Sequence, residues 1–216
     1  MSDDKTTFAG QRLKIPPTEK GRARRLKIIK CAARLFEERG YANVTLADIV
    51  ASSGGSLTTV YKWFGNKEEL FLSVLSVHMN EVYERLRSAE LTGATVEDDL
   101  SKIIETVANN APFRLMRVAL VESDVFARLR SDILYAVEEK TNTPIKSLFC
   151  QLRKKHRLEF KLSDEETTFL FVRYFRGLLL EQALGGDGVR ERMAQGERNL
   201  KDVLKSLIES SEGARA

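Results

Sequence analysis

This 216-residue chain has few of the residues that bend, stiffen or cross-link a backbone: two cysteines, four prolines and thirteen glycines. Cys31 and Cys150 allow at most one disulfide, and their separation fits no metal-ligand spacing. So few prolines and glycines cannot supply the turns of an all-β fold of this length. No apolar run approaches the ~18 residues of a membrane span. The best one, Phe169 to Leu184, is broken by Arg173, Arg176 and Glu181. The opening Met1-Ser-Asp-Asp-Lys is acidic and polar, unlike a secretory signal. His78 and His156, the two histidines, stand in no ligand spacing. A nucleophile elbow, a P-loop and a dinucleotide-binding glycine pattern are all missing; Gly185-Gly-Asp-Gly188 follows a helical segment and reads as a hinge. No constellation for an enzyme can be assembled. The expectation is a cytoplasmic protein without metal, cofactor or membrane partner.

What the chain does have is charge and amphipathic helix pattern. It is 43% hydrophobic and 31% charged, the composition of a globular protein with one large domain or two small ones. The net charge of +4 conceals an asymmetry. Residues 1–67 hold 13 Lys and Arg against 6 Asp and Glu, whereas residues 68–216 hold 22 against 25. A basic N-terminal module with an anionic partner, followed by a mildly acidic body, accounts for this. A chance excess of basic residues on solvated helix faces is the plainer alternative on charge alone.

Residues 1–17 lack periodicity and end in Pro16-Pro17, which predicts a flexible arm. Thr18 can cap a helix in which Leu26, Ile29, Ala33 and Phe36 recur at helical spacing. Ile28, Ala32 and Leu35 widen that stripe, and Gly40 supplies a stop. Lys20, Arg22, Arg24, Arg25, Lys27 and Lys30 crowd its first half, where the helix dipole would favour acids. A partner that brings negative charge resolves the conflict. Thr45, with Asp48 three positions on, predicts a short helix whose apolar face is Leu46, Ile49 and Val50. Gly54-Gly55 breaks it, and Ser56 caps a second short helix, Leu57 to Phe64, with Val60 and Phe64 inward and Leu57 and Tyr61 partly so. Two short helices about a glycine turn predict a helix-turn-helix. A long helix follows from Lys67 to about Ser88. Beyond it the pattern is helical, with loops expected near 91–95, 109–112, 141–144 and 161–163 and a break at 185–188. The last two helices are expected at about 163–184 and 189–210, the second carrying Met193, Leu200, Val203, Leu204 and Leu207. With no repeat and no convincing strand, the fold is expected to be all-α with roughly nine helices. The chain is expected to divide into an arm at 1–17, a helix-turn-helix domain at 18–67 and a helical body at 68–212.

The stretch from Thr45 to Leu70, TLADIVASSGGSLTTVYKWFGNKEEL, resembles the DNA-binding signature of the tetracycline-repressor (TetR/AcrR) family of bacterial regulators. Ala32 to Gly40, AARLFEERG, is similar to that family's first helix, and the likeness covers about residues 22–75. Caps, turn glycine, aromatic triplet and Lys-Glu-Glu-Leu all fall at the family spacing. One departure is Gly55, which stands where a Val is usual and leaves the small core of the turn weaker. The resemblance implies that Leu57, Thr58, Thr59 and Tyr61 face bases or the adjacent backbone. It also implies that Thr45, Ser56, Lys62, Trp63 and Lys67 hold phosphates. The physics agrees: a helix fits the major groove, its exposed N-terminal side chains reach base edges, and phosphate contacts set the register. Arg22, Arg24 and Arg25 are candidate minor-groove or phosphate contacts. Each has a plainer role open to it, as cap, core cover or solvated charge.

The resemblance further implies a regulator, expected to be a repressor, that binds a palindromic double-stranded operator as a homodimer and is released by a small apolar or amphipathic ligand. The last two helices would pair across the dimer as a four-helix bundle, with Gly177, Leu180 and Leu204 at the interface. Gly177 would allow close approach of the partner, or else accommodate a neighbour in its own subunit. Candidate pocket residues are His78, Phe113, Met116, Glu122 and Tyr174, which interrupt apolar faces, although ordinary core gives the same pattern. The alternative is a helix-turn-helix regulator without a small ligand, controlled by a protein partner or acting as an activator. Cys31 beside Lys27 and Lys30 could be a redox thiol or a buried small side chain. The run Arg153 to Arg157 could meet an anionic surface or be a solvated helix end.

Overall fold

The structure is a computed structural model that describes residues 7–8, 11–12, 14–110, 112–119, 130–185 and 187–209. Among the described residues the fold is all-α, with nine helices. These are α1 (Glu19–Arg39), α2 (Leu46–Ser53), α3 (Leu57–Phe64), α4 (Lys67–Arg87), α5 (Val96–Asn110), α6 (Phe113–Arg117), α7 (Arg130–His156), α8 (Asp164–Leu184) and α9 (Val189–Ser206). The described strands are four two-residue segments forming two antiparallel ladders. Thr7–Phe8 (β1) pairs with Gln11–Arg12 (β2), within the expected arm. Glu159–Phe160 (β3) pairs with Ile208–Glu209 (β4). No described helix is long and apolar enough to cross a membrane. The chain divides into two compact units, residues 1–79 with 112–137 and residues 80–111 with 138–216.

In the first unit, the Thr18 hydroxyl accepts the Gly21 N–H at 3.1 Å and starts α1. The face of α1 that turns inward is Arg25, Ile28, Ile29, Ala32, Ala33, Leu35 and Phe36. Leu26, expected on that stripe, is instead exposed, and Arg25 takes the inward position beside it. Phe36, Tyr41 and Phe71 form an aromatic cluster with centroids 5.3–5.7 Å apart. Pairs of this kind add about 0.5–1.5 kcal/mol beyond area burial. Ile49, Val60 and Phe64 are also buried, and α6 packs against α1. This core holds α2 and α3 at fixed attitudes.

In the second unit, α9 packs on both α8 and α5. A Cβ at Gly196 would overlap a Leu178 methyl and lie 3.3 Å from Leu178 Cγ, so a side chain there would have to displace Leu178 from between α8 and α9. Phe149 meets Phe171 edge to face and Phe171 stacks on Phe175, with centroids 5.5 and 5.9 Å apart. Leu204 is fully buried within its own chain, which removes it from the surface where a subunit interface would need it. The loop expected at 141–144 lies inside α7, with Pro144 in the helix. Proline removes one ladder bond and bends a helix. Here the buried stripe Ile145, Leu148, Phe149 and Leu152 carries the helix through it.

Candidate nucleic-acid interface

The helix-turn-helix is built from reciprocal caps. Thr45 and Asp48 form a full capping box at the start of α2, with Thr45 N–H donating to Asp48 Oδ2 at 2.8 Å. Hydrogen bonds from the Thr45 hydroxyl and then its backbone hold the Asp48 carboxyl below its usual range. Ser56 Oγ accepts the Thr59 N–H at 3.2 Å and also pairs with the Thr59 hydroxyl at 3.0 Å. The hydroxyls of Thr45 and Ser56 therefore serve as caps, the local role open to both. Val60 and Phe64 anchor α3 from below. Its outward face is Leu57, 41% exposed, Thr58, Tyr61, 54% exposed, and Lys62. The Lys62 ammonium has no hydrogen bond or ion pair among the described residues. Thr59 is half-buried, its hydroxyl already engaged by Ser56.

Beside α3 runs a groove of about 600 Å³, lined by Thr18, Lys20, Gly21, Ala23, Arg24, Lys27, Thr59 and Trp63. Three of the lining side chains are cationic and none is a carboxylate. Lys20 and Lys27 are exposed and were not among the candidate contacts drawn from the sequence. The signal that could have found them is the spacing of Lys20, Arg24 and Lys27, four and three residues apart on one helix face.

The three arginines have separate placements. Arg22 is exposed and donates to the Pro17 carbonyl at 2.5 Å. Arg24 is half-buried and donates to the Ser53 carbonyl at 3.1 Å. Arg25 is only 9% exposed, donating to Ser73 Oγ at 3.0 Å with its guanidinium 4.9 Å from the Phe64 ring centroid. Burial lowers the pKa of Arg25, and the structure places this residue inside the module, away from the outer face the charge pattern suggested. Lys67 reaches back under the loop between α1 and α2, donating to the carbonyls of Tyr41 at 2.9 Å and Val44 at 3.0 Å. Its ammonium lies 4.2 Å from the centre of the Tyr41 ring. Burial lowers the Lys67 pKa, while burial and then the charge of Glu68 push the Tyr41 phenol up to about 12. An ammonium has three N–H bonds, so one remains beyond the two carbonyls.

The candidate pocket residues are distributed over both units. His78, half-buried with Nδ1 3.0 Å from the Val74 carbonyl, and buried Met116 fall in the first unit, whereas Tyr174 falls in the second. Glu122 and the side chain of Phe113 lie outside the described residues. Within the second unit, a cleft of about 640 Å³ between α7 and α8 combines apolar surface from Leu162, Phe169 and Leu170 with the charged side chains Lys146, Glu165 and Glu166. The outer face of α8 carries Phe169, 59% exposed, Gly177, Leu180 and Leu184, 70% exposed. A Cβ at Gly177 would meet nothing within 4 Å, so this glycine accommodates no described neighbour in its own chain.

Comparison with known proteins bears on this geometry. Residues 28–74 match the family described as bacterial regulatory proteins, tetR family. The chain is 26% identical over 144 residues to the HTH-type transcriptional regulator BetI of Brucella canis, covering 59% of this chain and 73% of that one. In fold it is similar to a TetR transcription regulator from Haloarcula marismortui, with a TM-score of 0.68, 16% identity, and 87% and 99% of the two chains covered. It is likewise similar to SmeT in its complex with triclosan, with a TM-score of 0.63, 18% identity, and 88% and 93% covered.

Proposed function

From the premise that this chain belongs to the TetR family and is a helix-turn-helix transcriptional regulator, we propose that it is a ligand-released repressor that reads a two-fold symmetric duplex as a dimer. The observation that carries the reading is the outward face of α3. It presents Leu57, Thr58, Tyr61 and an unpaired Lys62, directly beside a groove with three cations and no carboxylate. Thr58 can hydrogen-bond a base edge, and Leu57 can touch a thymine methyl. Lys62, Lys20 and Lys27 supply phosphate contacts, with the remaining N–H of Lys67 as a further one. The stripe Phe169, Gly177, Leu180 and Leu184, with Phe169 and Leu184 exposed and Leu180 half-buried, supports pairing of α8 with a second copy, because a soluble monomer rarely leaves such large apolar side chains aligned on one helix. The cleft beside Phe169, apolar in part and edged by Lys146, Glu165 and Glu166, supports a small apolar or amphipathic effector.

The test is selection of duplexes from a randomised pool by the whole protein, followed by titration of the recovered sequence against compounds found by thermal shift. A two-fold symmetric site with half-sites about 34–36 Å apart, or a multiple of that, is the expected result. An asymmetric site would remove the dimer from the reading. Stabilising compounds that leave DNA affinity unchanged would remove the effector.

A further inference from the structure

The turn between α2 and α3 is completed by a side chain from α1. Gly54 and Gly55 hold φ of +77° and +96°, a backbone region that side-chain-bearing residues rarely adopt. A Cβ on Gly55 would overlap Arg24 Nη2, and would lie 3.2 Å from Cζ and 3.4 Å from Nε. The Arg24 guanidinium therefore lies where a side chain of residue 55 would begin. Its Nη2 also comes within 3.4 Å of the Cβ position of Gly54. From there Nη1 donates to the carbonyl of Ser53, the last residue of α2, at 3.1 Å. That carbonyl is one of those a helix end leaves without an internal partner, and a cation there is favoured by the dipole. Ser53 is itself buried and donates its hydroxyl to the Gly54 carbonyl at 3.1 Å. One guanidinium thus ties α1 to the end of α2 and roofs the two glycines that set the angle of α3.

We propose that Arg24 is a positioning residue for the recognition helix, filling from α1 the space that a side chain at residue 55 would fill, and is not one of the module's phosphate ligands. The proposal rests on the DNA-binding reading above and assigns one residue within it. Arg24 lies directly over the glycine that stands where the family pattern has Val. The two roles have different signatures. A phosphate ligand contributes to every sequence alike and to the salt dependence. A residue that only aims α3 affects the base contacts, because these depend on where the helix lies in the groove.

The experiment compares wild type, Arg24→Ala and Arg24→Gln on the duplex that wild type recovers from a random pool and on a scrambled duplex, across a salt series. Arg24→Ala is expected to lower the ratio of specific to non-specific affinity about tenfold and to leave the salt slope unchanged. Arg24→Gln, uncharged but still able to donate an amide N–H toward the Ser53 carbonyl, is expected to recover part of that ratio. Thermal unfolding checks that each variant folds. The proposal is overturned if Arg24→Ala weakens both duplexes equally with a slope smaller by about one, or if it changes neither. Failure of wild type to recover any duplex would overturn the DNA-binding reading, and this assignment with it.

Discussion

Each of the two units pins an interhelical loop with a lysine ammonium placed under backbone carbonyls, and the two differ in what balances the charge. In the first unit, Lys67 is held by the carbonyls of Tyr41 and Val44 and by the face of the Tyr41 ring. In the second, Lys155 donates to the carbonyls of Leu91 and Gly93 at 3.0 and 2.6 Å and also to Asp99 Oδ2 at 2.6 Å. Asp99 is fully buried and takes two more contacts, His156 Nε2 at 2.7 Å and the Gly93 N–H at 2.7 Å. Dipoles steady the Lys67 charge without cancelling it, whereas a carboxylate neutralises that of Lys155. The module proposed to meet phosphate keeps its positive charge, and the body does not. The whole-chain asymmetry of charge is repeated at the level of a single loop clamp.

The sharpest way to break this comparison is to remove each ammonium in turn. Lys155→Met leaves the buried Asp99 carboxylate with His156 and the Gly93 N–H but without its lysine counter-charge, and should cost on the order of 3 kcal/mol in denaturant unfolding. Lys67→Met leaves two neutral carbonyls without that donor and no buried charge, and should cost about 1 kcal/mol. Equal costs would show that the carboxylate makes no difference. A second separation comes from pH. Burial alone would raise the Asp99 pKa, but hydrogen bonds from Lys155, His156 and the Gly93 backbone outweigh it and hold the carboxyl below its usual range. A depressed acid adds stability that is present above its unfolded pKa of about 4 and is lost as pH falls through the folded value. Asp99→Asn should therefore flatten the acid limb of the stability curve below about pH 4. An unchanged acid limb in that variant would exclude Asp99 as its source.

How much the sequence disclosed follows the same division. The helix-turn-helix was legible because its signals are local: Thr45 with Asp48, Ser56 with Thr59, and the glycines between. Thr18, Gly40 and Ser163 bound their helices for the same reason. Side-chain destinations that depend on distant elements were not legible. Arg25 and Leu26 exchange places because Phe64 and Ser73 offer the guanidinium a ring face and a hydroxyl. Likewise, Lys67 belongs to a motif expected to hold phosphate, yet its partners lie 23 and 26 residues earlier. The proline at 144 signalled a loop, and the apolar stripe of α7 overrode it. Gly177 and Gly196 look alike in sequence, but only Gly196 meets a neighbouring side chain.

The central claim is that the outward face of α3 holds duplex DNA, with Lys62 on a phosphate. Titration of the recovered duplex and a scrambled one, from about 50 to about 200 mM salt, tests it with wild type and Lys62→Ala. The account predicts that the variant binds both duplexes more weakly, by similar factors, and that its salt slope is smaller by about one. Wild-type affinity and wild-type salt slope in Lys62→Ala would contradict it.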